Sequence, residues 1–187
     1  MTTDIKTDVI DEVLKDHDEI KQLFTDVDQA IGDQKREAFE QLVRKLAVHE
    51  TAEQEVVHPL ARSADASDIV DERLEEEKSG ERVLTDLQRM GPESPAFLSM
   101  YEQLKADVLK HAGLEETEEH PKIRSAIKAD QLQKLAVVYR AAEAAAPTRP
   151  HPHGPTSAVG NVAVGPVVAI IDRARDAVRD AMQKLSA

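Results

Sequence analysis

The sequence contains no cysteine and no tryptophan, and only 3% of its residues are aromatic. Without cysteine, disulfide bonds, thiol catalysis and thiolate metal sites are excluded. Leucine, valine, isoleucine and alanine therefore supply most of the apolar residues in a chain that is 41% hydrophobic. A core of such residues is more typical of helices than of β-sandwiches or barrels.

Long apolar runs are also lacking. No run approaches the length needed to cross a bilayer, and no charged-then-apolar signal segment begins the sequence. The 187 residues carry 24 basic and 36 acidic side chains, a net charge of −12. This charge argues against a nucleic-acid backbone or an anionic membrane surface as the main partner. We therefore expect a cytoplasmic protein with no transmembrane segment and no nucleic-acid partner.

Four segments have apolar residues every three to four positions, which predicts helices. These segments cover about 10–31, 39–60, 69–87 and 97–118, and a shorter fifth helix is predicted at about 130–145. The chain is long enough to bury one good core. The pattern predicts an all-α fold, an up-down-up-down four-helix bundle with a short fifth helix, in a domain spanning residues 1–145.

The composition changes after this domain. Residues 146–166 are rich in proline, glycine and serine and predict a flexible linker. Residues 167–187 predict a tethered amphipathic helix. It could dock on the bundle, pair with a second copy in a homodimer, or contact a membrane surface. Its balanced charges make the membrane role the weakest of the three.

Two stretches of the sequence share one pattern. "HETAEQEVVHP" (49–59) and "HAGLEETEEHP" (111–121) each contain a histidine, a glutamate four residues later and a His-Pro pair. Four residues advance a helix by about 40° past a full turn and about 6 Å along its axis. Each histidine and its glutamate therefore lie on the same side of a helix, stacked.

Histidines and glutamates occupy positions on all four stripes where the pattern asks for leucine or isoleucine. Burying several carboxylates together without a partner is costly, and a bound cation removes that cost. Imidazole nitrogen and carboxylate oxygen both coordinate divalent metals, so the four helices predict a dinuclear site. The candidate ligands are His17, His49, Glu53, Glu77, Glu81, His111 and Glu115.

Three positions on the third and fourth predicted helices can be interpreted in more than one way. Glu77 shares a face with the leucines of its helix, but Glu76 or Lys78 would face inward in another register. Glu81, one turn later, is either a ligand or a solvated side chain. Glu118 lies on its stripe near the helix end, where an exposed carboxylate is the better interpretation.

The two His-Pro pairs raise a separate question. In an ideal helix, a residue nine positions after another faces about 180° away from it. His58 and His120 should therefore point away from any metal that His49 and His111 bind, unless the helix unwinds at the proline. We interpret both pairs as markers of helix ends, with a supporting role next to the ligands, or a gating role, as the alternative.

The ordered set "KDHDEI", "HETAEQEVVHP", "RLEEEKSGERVLTDL" and "HAGLEETEEHP" resembles the hemerythrin-like HHE cation-binding domain. The resemblance covers about residues 7–128. It implies two iron ions bridged by carboxylates and by an oxo or hydroxo group. The implied ligands are His17, His49, Glu53, His111 and Glu115, with Glu53 and Glu115 as bridges. Many relatives have Glu-His where this chain has Glu76-Glu77, so Glu77 would have to substitute, helped by Glu81.

This ligand set has three histidines and three or four glutamates, which favours ferric over ferrous iron. Such a site suits reaction with O₂ or peroxide, or sensing of O₂ or NO, better than reversible oxygen carriage. We expect a di-iron protein of the oxidative or nitrosative stress response or of redox sensing. The alternatives are an iron-handling module without turnover and a helical interaction protein acting through its C-terminal helix.

Overall fold

The computed structural model describes residues 7–149, a segment of helices joined by short turns in which no strand occurs. The helices are α1 (Val9–Gln29), α2 (Asp33–Ala52), α3 (His58–Ser63), α4 (Ser67–Met90), α5 (Phe97–Leu114), α6 (His120–Ala126) and α7 (Ala129–Ala145). Two π-helical turns join α2 to α3 and α5 to α6, at Glu53–Val57 and Glu115–Glu119. The all-α prediction is confirmed.

Other parts of the predicted organisation stay predictions. These are the up-and-down order of the four long helices and the domain bounds at residues 145 and 166. Beyond residue 149 the predicted linker lies outside the described residues, as does the whole of the predicted helix at 167–187. None of the described helices is both long and apolar enough to cross a membrane.

The start of α1 is fixed by a reciprocal cap. The Asp11 backbone N–H donates to the Asp8 carboxylate at 3.0 Å, and the Asp8 N–H donates to the Asp11 carboxylate at 2.9 Å. This capping box satisfies two N–H groups that a helix start leaves unpaired. The buried face of α1 includes Val13, His17 and Ile20.

Two apolar clusters form the core, and the candidate metal ligands lie between them. In α1, Val13 belongs to the first cluster and Ile20 to the second, with His17 between. In α2, Leu46 belongs to the second cluster, whereas Val56 in the following π turn belongs to the first. Helix α7 packs against α1 and α2 and contributes to the first cluster. The buried polar layer is therefore enclosed by apolar residues at both ends.

The π turns overturn the interpretation of His58 and His120 as outward-facing helix ends. The His58 backbone N–H donates to the Glu53 carbonyl, and the His120 N–H donates to the Glu115 carbonyl. This i to i−5 bonding inserts one extra residue into the turn, so each histidine lies one turn after its glutamate. Both histidines are only 3% exposed. The following prolines lie in the first turn of α3 and α6, where a missing N–H is tolerated.

Candidate metal centre

Five of the seven predicted ligands meet in the layer between the two clusters, whereas His111 and Glu81 belong to neither of the two groups found there. Ligand atoms of one group all lie within 4.8 Å of one another, and this group consists of His17, His49, Glu53 and Glu115. A second group, with the same limit, consists of His58, Glu77 and Glu115. Every member of both groups is buried. Because Glu115 belongs to both, the two groups are adjacent, which is the arrangement that a carboxylate bridging two ions requires.

The two repeated pairs have the geometry that their spacing predicts. His49 Nε2 lies 3.3 Å from Glu53 Oε2, and His111 Nε2 lies 3.1 Å from Glu115 Oε1. His17 reaches the same carboxylate from α1, with its Nε2 3.3 Å from Glu115 Oε2. Histidine nitrogens from three helices thus converge on two glutamates.

Each of these histidines is held by its other nitrogen. His17 Nδ1 lies 2.9 Å from Glu116 Oε1, and His111 Nδ1 lies 3.0 Å from Glu76 Oε2. His49 Nδ1 lies 3.1 Å from the Tyr139 hydroxyl oxygen. An outward N–H that donates to a carboxylate or hydroxyl, with the second nitrogen directed inward, is the usual arrangement of metal-binding histidines.

The inward-facing atoms lack hydrogen-bond partners. Nε2 of His17 and of His111 are buried without one, and so are both carboxylate oxygens of Glu53 and of Glu115. A buried polar group left unpaired costs about 1–3 kcal/mol, and more if it is charged. Nitrogen and oxygen atoms collected in this way fit a divalent metal cation, which would satisfy them together.

The pKa shifts of the buried glutamates and histidines in the metal-free layer also indicate a cation site. Burial, and then the charge of Glu115, raises the pKa of Glu53 well above its usual value. Burial would also raise the pKa of Glu115, but the His111 and His17 imidazoles hold it well below its usual value. Burial alone would lower the pKa of His111, but Glu115 raises it to about 9. Protons thus compensate charge in a layer where a cation would do the same.

His58 takes part in the second group, which sequence reasoning missed. His58 Nε2 lies 2.6 Å from Glu77 Oε1, and its Nδ1 lies 3.3 Å from Glu119 Oε1. The Gln54 side-chain amide donates to Glu77 Oε2 at 2.6 Å. Burial alone would lower the pKa of His58, but its bonds to Glu119 and Glu77 raise it to about 10. The only sequence signal for this role was the repetition of the histidine itself in both stretches.

The structure also places the residues whose register was open. Glu77 is buried in the layer, whereas Glu76 lies outside it between His111 and Arg73. Glu81 is partly buried and belongs to neither ligand group. Glu118 is exposed, as expected. Metal ligation by any of these side chains stays a prediction.

A cavity of about 240 Å³ lies between α4 and α5 and reaches the layer from the side. Its lining includes Glu77 and His111, together with Gly80, Leu104 and Val108. A Cβ atom added at Gly80 would lie 4.0 Å from Leu104 Cδ1, an ordinary van der Waals contact, and a larger side chain at this lining position would occupy part of the cavity. The cavity is large enough for a few molecules of the size of water.

Comparisons with known proteins agree with this geometry. A family model described as the Hemerythrin HHE cation binding domain matches residues 8–123. A "DNA nickase" of Nostoc sp. (strain PCC 7120 / SAG 25.82 / UTEX 2576) is 30% identical over 134 residues, which are 71% of this chain and 38% of the relative. The chain thus spans well under half the length of that relative. No solved structure matches. The family match covers more than half of the chain and both repeated stretches, and the chain belongs to the hemerythrin HHE cation-binding domain family.

Proposed function

We propose that the protein holds two metal ions, iron foremost, in its buried layer and uses them to bind or react with O₂, NO or peroxide. The observation that carries this proposal is the pair of adjacent ligand groups that share Glu115. The family match supports cation binding. Mixed imidazole and carboxylate donors are compatible with iron.

The residues of the layer would bind the two ions in two groups. His17, His49 and Glu53 would hold one ion and His58 with Glu77 the other, with Glu115 shared between them. When bound, two irons would supply electrons to, or accept electrons from, a small redox-active molecule. The carboxylates favour ferric iron because their negative charge stabilises the higher oxidation state. The apolar clusters on either side keep bulk water from the layer.

The cavity between α4 and α5 supports a small reactant. Its volume suits diatomic molecules and peroxide, and its approach to Glu77 and His111 leads to the ligand layer. Four carboxyl side chains line it, against one lysine and one histidine: Glu50, Glu76, Glu77 and Asp107, with Lys110 and His111. A neutral reactant such as hydrogen peroxide would therefore enter more readily than an anion such as azide.

The test combines metal content with reaction rate. Protein purified from iron-replete cells should contain about two irons per chain and consume hydrogen peroxide. Gly80→Leu should keep the iron but slow the reaction, because the new side chain fills the cavity. Gly113→Leu is the matched control, since a Cβ there meets nothing within 4 Å. No bound metal in the wild-type protein would refute the proposal, and an unchanged rate in Gly80→Leu would refute the entry route.

The alternative is an iron-handling module without turnover. Carboxylate-rich ligation also tolerates Mn²⁺ and Zn²⁺, so the ligand chemistry alone does not select a redox metal. Full iron occupancy with no reaction toward O₂, NO or peroxide would favour this alternative. One relative is named as a DNA nickase. We still expect no nucleic-acid partner for this chain, because its net charge is −12.

A further inference from the structure

The two halves of the ligand layer are related residue by residue. His49, Glu53, Gln54 and His58 recur sixty-two positions later as His111, Glu115, Glu116 and His120. Both stretches lead from a long helix through a π turn into a short helix that begins at the second histidine. The first half is α1 to α3 and the second half is α4 to α6. In the leading helices, Asp16-His17 of α1 corresponds to Glu76-Glu77 of α4.

Contacts within each half repeat. Asp16 Oδ2 lies 3.5 Å from His49 Nδ1, and Glu76 Oε2 lies 3.0 Å from His111 Nδ1. In each half, an acidic residue of the leading helix therefore lies beside Nδ1 of the first histidine of the repeated stretch. That acidic residue comes directly before the inward-facing residue, His17 in α1 or Glu77 in α4.

Contacts between the halves repeat as well. Gln54 of the first half donates to Glu77 of the second at 2.6 Å. Glu116, its counterpart, lies 2.9 Å from His17 Nδ1 of the first half. The residue after each repeated glutamate thus contacts the leading helix of the opposite half. Reciprocal contacts of this kind are the signature of a two-fold relation.

The same relation pairs His58 with His120. His58 reaches across to Glu77, and the His120 ring stacks across on His17 with ring centroids 5.9 Å apart and an interplanar angle of 19°. The two second histidines therefore approach equivalent positions from opposite halves. The partners differ, because the first half has a histidine where the second has a glutamate.

Because of this difference, the two ring nitrogens of His120 lack the hydrogen bonds that those of His58 make. His58 hydrogen-bonds through both ring nitrogens, whereas both nitrogens of His120 are buried without any partner. The facing Nε2 of His17 is also unpaired. The unpaired ring nitrogens of two buried imidazoles can donate their lone pairs to a metal ion, which would satisfy both.

We propose that His120 is a metal ligand, the counterpart of His58, and that the centre is built on an internal two-fold relation. One ion would lie beside His17 and His120, the other beside Glu77 and His58. This inference rests on the proposed function, because it requires that the layer bind metal. It adds a ligand and gives each ion one histidine from the end of one half and one leading-helix residue from the other.

Cobalt(II) titration of the metal-free protein tests the proposal without relying on activity. The wild-type protein should bind two Co²⁺ per chain, with a visible spectrum for each. His120→Phe keeps the stacked ring and the burial but removes the nitrogens. We expect it to lose one Co²⁺, or to bind it more than about 100-fold more weakly, since loss of a ligand exceeds the 10–100-fold effect of losing an outer partner. His58→Phe should weaken the other ion.

The outcomes are separable. Two Co²⁺ bound by His120→Phe with wild-type affinity and spectrum would overturn the proposal and leave the proposed function intact. No Co²⁺ bound by the wild-type protein would overturn the proposed function itself. If circular dichroism shows that His120→Phe does not fold, His120→Ala with added imidazole replaces it. Recovery of the second Co²⁺ with imidazole supports ligation, and no recovery overturns it.

Discussion

In the metal-free protein, the Glu53 carboxyl group is buried with little compensation. The side chain is fully buried, neither oxygen has a hydrogen-bond partner, and its pKa is raised by burial and by Glu115. Its nearest imidazole, His49, has a pKa that burial lowers, so it supplies no positive charge at neutral pH. If this carboxyl exists to bind metal, the metal-free fold should become more stable when it is replaced by an apolar group.

The change in free energy of unfolding for Glu53→Leu follows from two gains and one loss. Relieving an unpaired buried polar group is worth about 1–3 kcal/mol. Burying a leucine side chain adds about 2 kcal/mol, and imperfect fit in a packed layer removes about 1–3 kcal/mol. Taking the middle of each range, the net prediction is an increase of about 2 kcal/mol, within limits of about 0–4 kcal/mol. For a chain of this size, that raises the Tm of the metal-free protein by about 3–10 °C.

The assay is thermal and urea unfolding at pH 7 in the presence of a chelator, followed by circular dichroism. Glu118→Leu, an exposed glutamate in the second π turn, is the control and should change stability by less than about 0.5 kcal/mol. With metal added, the order should reverse, because Glu53→Leu loses a ligand. A metal-free Glu53→Leu protein less stable than the wild type by more than about 1 kcal/mol would refute the reasoning, since Glu53 would then be a structural residue.

Two further predictions concern protons and the outer contacts of the histidines. The pKa of His58 is raised to about 10 and that of His111 to about 9. Protonation of these two histidines therefore stabilises the metal-free fold fully below about pH 6.5, and this stabilisation is lost as the pH rises toward the two raised pKa values. Metal must displace these protons, so the rise in Tm on Co²⁺ addition should grow between pH 6 and pH 8; a constant rise would contradict it. Tyr139→Phe removes the hydroxyl that contacts His49 and should weaken Co²⁺ binding by about 10–100-fold in isothermal titration calorimetry. Tyr101→Phe, which removes a hydroxyl in the second apolar cluster, is the control and should leave the affinity unchanged. Equal Co²⁺ affinities of the two variants would show that the contact between Tyr139 and His49 is unimportant.

A plasmid assay addresses the expectation that nucleic acid is not a partner. Metal-loaded protein mixed with supercoiled plasmid should leave it supercoiled, because a chain of charge −12 is repelled by the phosphate backbone. Relaxation of the plasmid at a rate that falls with mutation of the ligand layer would contradict this expectation.

Apolar periodicity was sufficient to predict the four long helices and the inward face of each one up to the π turns. The stripes on α1, α2, α4 and α5 placed His17, His49, Glu77 and His111 toward the interior because a buried apolar face constrains the rotation of a helix. Spacing alone also predicted that His49 and Glu53 would meet, since residues four apart are neighbours on any α-helix.

The positions of His58 and His120 could not be read in the same way. A projection with constant α-helical pitch turns both outward, whereas a π turn adds one residue and brings each back to the layer. Whether a helix widens in this way depends on what packs around it. The Tyr139 contact was missed for a related reason, because α7 lies outside the four helices that the repeat defines.

The most direct test of the central claim is the iron content and absorption spectrum of the wild-type protein and of the double variant His49→Ala/His111→Ala. We expect about two irons per chain, with near-ultraviolet charge-transfer bands of bridged ferric iron, and loss of both in the double variant. A correctly folded wild-type protein that binds no iron from iron-replete cells, and none on reconstitution, would contradict it.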